Sequence, residues 1–404
     1  MLITISISFD VPAKPLRIYI LAGQSNMEGH ANIRTFEYIG EDPETKPLLD
    51  LMTDDDGKPV TADRVWVSNA TEYFEDQGVL SGMLTAGFGA RQNPSELGDN
   101  IGPEYTFGLK MQQAYNGPIL IIKTAWGGKS LHTDLRPPSA GPYTLSVLQK
   151  RMYPTGEGHG VPEDLEQWMD DKIKATGVYY RKMIEHINKV LADPGKIVPG
   201  YRKDAGYEIA GFVWFQGWND LAAPHVYPHE LGAERYNMYS QVLTHFIEDV
   251  RKELKEPEMP FIIGVMGVGG PIGPTIDNDQ ENTQVLFREA MAKPAKHINR
   301  VTAVPTAPYG DQALGQIEMH REKIRQAAYL LRVKDKNHAN ADGSMDEAEQ
   351  RAYLAKMQAE LIKPEDDARW ERGASNAGYH YLGCAKTIAQ IGVAFAESLL
   401  NIED

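Results

Sequence analysis

A single cysteine, Cys384, stands among 404 residues. No disulfide can therefore form within the chain, and cysteine usage leaves the redox compartment open. No run of about 18 apolar residues occurs, which excludes a membrane-crossing helix. Basic residues are outnumbered, 41 Lys and Arg against 56 Asp and Glu. The resulting net charge of −15 argues against nucleic acid or an anionic membrane as partner, and says little about a neutral ligand. A G-x-G-x-x-G loop is missing after the first apolar run, against a nicotinamide cofactor. The histidines show no zinc spacing. The opening stretch, MLITISISFDVPAKP, lacks a basic start and a cleavage-type ending. Location is left open by this, with a periplasmic or extracellular protein expected and any export signal trimmed away.

What is present is an ordinary globular composition, 42% hydrophobic and 24% charged, long enough to bury roughly 75% of its unfolded surface. Five short apolar runs stand out: RIYILAG (17–23), PILIIKTAWGG (118–128), IAGFVWFQGWND (209–220), PFIIGVMGVGG (260–270) and RVTAVPTAP (300–308). They are continuous rather than alternating, as strands buried on both faces of a parallel sheet are. Long stretches of helical periodicity, such as 163–193 and 233–254, separate them. The pattern predicts an α/β fold, a five-stranded parallel doubly wound sheet with helices on both faces, whose ligands bind at the carboxyl ends of strands. Two long insertions, about 30–100 and 310–375, decorate what reads as one domain over 1–404. The second holds two charged helices, roughly 316–333 and 346–363.

The first run ends in GQSNMEG (23–29). A turn there needs only glycine and any polar residue, whereas a nucleophile at a pocket mouth needs a serine held at a strand end among hydrogen-bond donors. Ser25 fits either, until a base and an oxyanion site are found. It is not a G-x-S-x-G elbow, since Met27 occupies the second glycine position.

Four blocks taken in order resemble the SGNH hydrolases, in the sialate O-acetylesterase-like branch that overlaps carbohydrate esterase family six. GQSNMEG is similar to the first block, with Ser25 as nucleophile. WGGKSL (126–131) is similar to the second, supplying the Gly128 amide. WFQGWND (214–220) is similar to the third, with Asn219 as oxyanion donor, and GYHYLG (378–383) to the last, with His380 as base. The resemblance touches the five strands and the C-terminal helix, not the insertions, and implies a flavodoxin-like SGNH sheet. The chemistry requires these residue types: an imidazole takes the serine proton during attack on an ester carbonyl. Preorganised donors then meet the developing oxyanion, each worth about 10²–10³ in rate.

The family pattern places an aspartate three residues before the histidine, where this chain has Ala377, with uncharged Ser375 and Asn376 beside it. Two alternatives follow: a Ser-His dyad with His380 held by a carbonyl or amide, or a carboxylate from elsewhere, of which Asp220 is nearest by motif. HTDLRPPSAGPY (132–143) is expected to wall the pocket, Asp134 and Arg136 binding sugar hydroxyls or bracing the loop as an ion pair, with Gln24 also on the substrate side. Trp126, Trp214 and Trp218 are read either as sugar platforms or as core, and Pro103-Glu104 as a helix start.

HANADGSMDEAE (338–349) places Asn340, Asp342, Gly343, Asp346 and Glu349 at positions 3, 5, 6, 9 and 12 of a calcium loop, but His338 at position 1, which requires aspartate. It is expected to be a solvated turn, with structural calcium the lesser alternative and no catalytic metal or cofactor. The resemblance thus implies a serine esterase removing O-acetyl groups from an acetylated saccharide. The rivals are a catalytically silent carbohydrate-binding protein and a lipase or thioesterase on the same fold.

Overall fold

The computed structural model describes residues 14–70, 79–155, 164–271 and 279–403. Apart from a short antiparallel pair, Ala31–Asn32 with Asn100–Ile101, its strands are β1 (Leu16–Gly23), β2 (Val65–Ala70), β3 (Val79–Met83), β4 (Ile119–Ala125), β5 (Tyr207–Phe215), β6 (Phe261–Val265) and β7 (Val301–Pro305). They form one sheet in the order β3-β2-β4-β1-β5-β6-β7. All pairs are parallel except β3 on β2. The five apolar runs thus lie side by side, and β1 is central, with β4 and β5 on either flank. Chain connections diverge from β1 in opposite directions, which makes its carboxyl end a switch point where doubly wound sheets bind ligands.

Two strands exceed the five expected, and both come from the first insertion. β2 reads VWVSNA, and its buried Ser68 and Asn69 hid it as a strand. Both find partners inside: Ser68 Oγ lies 3.1 Å from His186 Nε2, and Asn69 Nδ2 donates to the Phe88 carbonyl at 2.7 Å, while Asn69 Oδ1 has no hydrogen-bond partner among the described residues. β3 is an antiparallel edge strand with alternating exposure, the pattern of a sheet margin wetted on one face.

Flanking helices include α1 (Glu104–Ala114), α2 (Val178–Ala192), α3 (Asn237–Leu254), α4 (Asp279–Ala292), α5 (Gln312–Arg332), α6 (Glu347–Leu361), α7 (Pro364–Gly373) and α8 (Ala385–Glu403). Helices α1 and α8 cover one face, where Phe107 meets Tyr19 edge-on and Phe395 meets Phe215. Phe246 of α3 covers the other, against Phe212 and Trp214 of β5 and Tyr180 of α2. Each such ring, fully buried, contributes about 1.5–3 kcal/mol. A smaller core joins Tyr38, Leu314 and Ile317 to Leu382 and Cys384. Through it, α5 of the second insertion props the segment that carries His380.

Candidate active site

β1 can end where it does because residue 23 is glycine. A Cβ there would lie 2.1 Å from the Phe215 carbonyl oxygen of β5. The chain then turns through Gln24 into a single helical turn, Ser25–Glu28, in which Ser25 is buried. Lys123 anchors that turn from behind, donating to the Glu28 carbonyl at 2.7 Å and to that of Phe88 at 3.0 Å. The Lys123 Nζ also sits 2.7 Å from a Glu104 carboxylate oxygen, with both side chains fully buried. Burial pulls the Lys123 ammonium down, and the Glu104 carboxylate opposes it. Glu104 therefore does more than favour a helix start, since it neutralises the cation under the Ser25 turn.

Gln24 lies on the protein side of the site. Its Nε2 donates to Asn219 Oδ1 at 2.9 Å, and its Oε1 accepts from Gln216 Nε2 at 3.1 Å and from the Gly217 amide at 3.0 Å. This clamp fixes the Asn219 amide: with Oδ1 engaged, only Nδ2 remains to donate. Gly128 follows β4 with φ of +73°, a conformation glycine adopts without strain. Among the described residues the Ser25 and Gly128 amides donate to no other backbone group.

Asp220 is fully buried and accepts four hydrogen bonds, from the Leu131 and His132 amides, Gln216 Nε2 and the Tyr227 hydroxyl, at 2.7–3.1 Å. Burial raises its carboxyl to about 6, against four donors that lower it. An ionised carboxylate has about four lone-pair sites. With all four taken, Asp220 welds the second block to the third and has none left for an imidazole.

His380 lies in a tight turn, Gly378–Gly383, in which Tyr381 and Leu382 both take left-handed conformations with φ of +52° and +61°. Such conformations cost of order 1–3 kcal/mol each and persist only where the surroundings over-determine them. Here the Tyr381 hydroxyl accepts the Gly267 amide at 2.7 Å, and Leu382 packs in the smaller core. His380 Nδ1 lies 2.8 Å from Asn376 Oδ1. That oxygen also accepts the Ala377 amide at 2.8 Å, and since an amide N–H only donates, the orientation of Asn376 is settled. Nδ1 therefore carries the proton and Nε2 the lone pair. Of the two alternatives at the missing acid, the side-chain amide is the one beside the ring. One face of His380 is covered by His30, with ring centroids 3.9 Å apart and planes within 1°. Burial, and secondarily His30, push His380 down to about 3.

The blocks are tied at the residues flanking Ser25: Gln24 holds Asn219, and Asn26 Nδ2 donates to the Tyr379 carbonyl at 3.1 Å. Asp134 and Arg136 are brought near the site but not to each other. Asp134 accepts the Ser130 amide and hydroxyl, both at 2.8 Å, while Arg136 donates to the Ala140, Gly141 and His132 carbonyls. They brace the loop separately rather than as an ion pair. Trp214 is core and Trp126 is buried. Trp218, by contrast, stacks on exposed Tyr379 at 5.7 Å, forming an aromatic ledge beside His380.

In 338–349 the residues at calcium-ligand spacing serve the backbone. Asp346 and Glu349 form the capping box of α6, Asp342 accepts the Ser344 amide, and Asn340 accepts that of Met345. Among the described residues no group of three His, Cys, Asp or Glu is gathered for a metal ion.

Lys123 and His30 were not singled out from the sequence, and Asn376 was noted only as an uncharged neighbour. A lone lysine in the otherwise apolar ILIIKTA was the signal for a buried, paired charge. Asn376 sits one place from the expected aspartate, and His30 gave no signal because its neighbour His380 is remote in sequence.

No match was found among curated proteins. Similar solved structures include a carbohydrate acetylesterase from Xanthomonas citri, at 15% identity and a TM-score of 0.39, covering 73% of this chain. The chain spans 51% of that protein's length. A protein from Arabidopsis thaliana matches at 15% identity and 0.38, covering 72% and 86% of the two chains. NanS matches at 16% and 0.39, covering 75% and 80%. The family model described as carbohydrate esterase, sialic acid-specific acetylesterase matches residues 15–155 and 159–315. His380 lies beyond that match, whereas Ser25, Gly128 and Asn219 lie within it. The chain belongs to the sialic acid-specific acetylesterase family of carbohydrate esterases.

Proposed function

We propose that this protein is a serine esterase that removes O-acetyl groups from a carbohydrate. The observation that carries the reading is the pair of ties beside Ser25, Gln24 to Asn219 and Asn26 to Tyr379, which draw oxyanion donor and base to the serine. Ser25 Oγ attacks the acetyl carbonyl while His380 Nε2 takes its proton. The Ser25 and Gly128 amides and Asn219 Nδ2 donate to the resulting oxyanion. Collapse expels the sugar oxygen, which His380 protonates. Water then attacks acetyl-Ser25, again giving its proton to His380, and acetate leaves with the serine restored. The unprotonated His380 favoured by its surroundings is the form this base must have. The ledge of Trp218 and Tyr379 supports a sugar ring as the group carried past the site.

The test is acetate release from p-nitrophenyl acetate, O-acetylated sialic acids and acetylated xylan. Turnover on an acetylated sugar, reduced to near background by Ser25→Ala or His380→Ala, is expected. The two losses should not add, since the pair acts as one unit. Binding of the sugar without acetate release would leave a carbohydrate-binding protein instead, and preference for long acyl chains a lipase or thioesterase.

A further inference from the structure

We infer that His30, backed by Glu28, is a positioning residue for the general base and takes up the first proton in place of His380. The inference rests on His380 being that base. The two imidazoles are stacked face to face at 3.9 Å. His30 Nε2 is buried, has no hydrogen-bond partner among the described residues, and lies 3.8 Å from a Glu28 carboxylate oxygen. The other groups around the pair are Tyr379, edge-on to His380 at 4.5 Å, the neutral Asn376, and the mutually compensated Lys123 and Glu104 behind the Glu28 carbonyl. Glu28 is thus the one carboxylate beside either ring among these neighbours, and it faces His30.

Two cations stacked at this distance repel, so the pair accepts one proton far more readily than two. The carboxylate draws that proton to His30, and His380 keeps its lone pair for Ser25. When His380 takes the serine proton during turnover with His30 neutral, the imidazolium forms against a π face, a favourable contact. His30 therefore does two things from outside the reacting atoms. It fixes the plane of the base together with Asn376, and it keeps the base unprotonated in mild acid.

The experiment is the dependence of kcat/KM on pH, from 2.5 to 8, for p-nitrophenyl acetate. His30→Phe keeps a ring on His380 but removes the proton site. Its acid limb should move up by about one pH unit or more, with the neutral plateau within about threefold of wild type. His30→Gln should show the same movement and a lower plateau, since the stack is gone as well. An unmoved limb in both, or an equal loss at every pH, overturns the inference. Should neither variant fold, histidine NMR titration of the wild-type protein decides, with the His380 signal identified by its absence from His380→Asn. A His380 that stays neutral while a neighbouring histidine titrates supports the inference, and a His380 that titrates first overturns it. Activity surviving in Ser25→Ala would instead sink the reading of Ser25 and His380 as nucleophile and base, and this inference with it.

Discussion

Replacing Asn376 by aspartate restores a carboxylate one residue from where the family pattern has one. The oxygen that already meets His380 Nδ1 at 2.8 Å would then carry charge. Two unit charges about 4 Å apart attract by about 4 kcal/mol at an effective dielectric of 20. Asn376 is exposed, so solvent reduces this to about 1–2 kcal/mol, or roughly one pKa unit. The sign follows from the role: kcat/KM falls as pH drops through the titration of the base. His380, pushed down to about 3, puts that acid limb well below the ordinary imidazole value near 6.5. Asn376→Asp should raise the limb by about one pH unit and kcat by about tenfold. The gain stays far from the 10⁴ that separates aspartate from asparagine in the serine proteases, because there the amide imposes the wrong tautomer. Here Asn376 accepts from Nδ1, and the tautomer is already right. The assay is p-nitrophenyl acetate turnover between pH 2.5 and 8. An unmoved acid limb would refute the electrostatic argument, and a gain of a thousandfold or more would refute the tautomer assignment.

Asp220→Asn should cost about 2–4 kcal/mol in denaturant unfolding, since an NH₂ group would face donors of a four-bond network, yet no more than about tenfold in kcat. A thousandfold loss with the fold intact would make Asp220 part of the chemistry. Lys123→Met leaves Glu104 buried without its partner and should destabilise by about 3–5 kcal/mol, most of it recovered in Lys123→Met with Glu104→Leu; a double variant no better than the single would refute the pairing argument. Treatment with a chelator should leave esterase activity intact, and a total loss reversed by calcium would return the 338–349 loop to consideration. Acid should unfold the protein partly through His132, pushed down to about 3, and His186, to about 4, both by burial. The unfolded chain binds these protons near pH 6.5 and the folded one does not, so stability falls as pH drops below 6.5. A midpoint of thermal unfolding flat between pH 7 and 5 would count against this.

Four of the five expected strands were legible because strands covered on both faces must be mainly apolar, and those runs are; β7, at the sheet edge, is only partly buried. β2 escaped because Ser68 and Asn69 break its run, and only the fold supplies His186 to the Ser68 hydroxyl and Phe88 to Asn69 Nδ2. Gln24 looked like a substrate ligand from its place beside Ser25. Its actual partners, Asn219, Gln216 and Gly217, lie some 190 residues on, beyond the reach of any local pattern. Asp134 and Arg136 had the right types for an ion pair, but the loop turns each toward backbone groups that nothing else satisfies. At the calcium-like loop the spacing was read correctly and the competing use was missed, since a capping box draws on the same acidic residues as a metal does.

The hydrogen bond from Asn26 to Tyr379 spans 353 residues of chain. At the 5–20 residues per second of protein synthesis, the base leaves the ribosome roughly 20–70 s after the serine. Throughout that interval the growing chain displays Ser25 without the histidine proposed to activate it. The turn that holds His380, with its left-handed pair, gains its support only when the Gly267 amide and the small core around Leu314 are in place. On the proposed mechanism, reactivity is thus deferred to the last stage of folding.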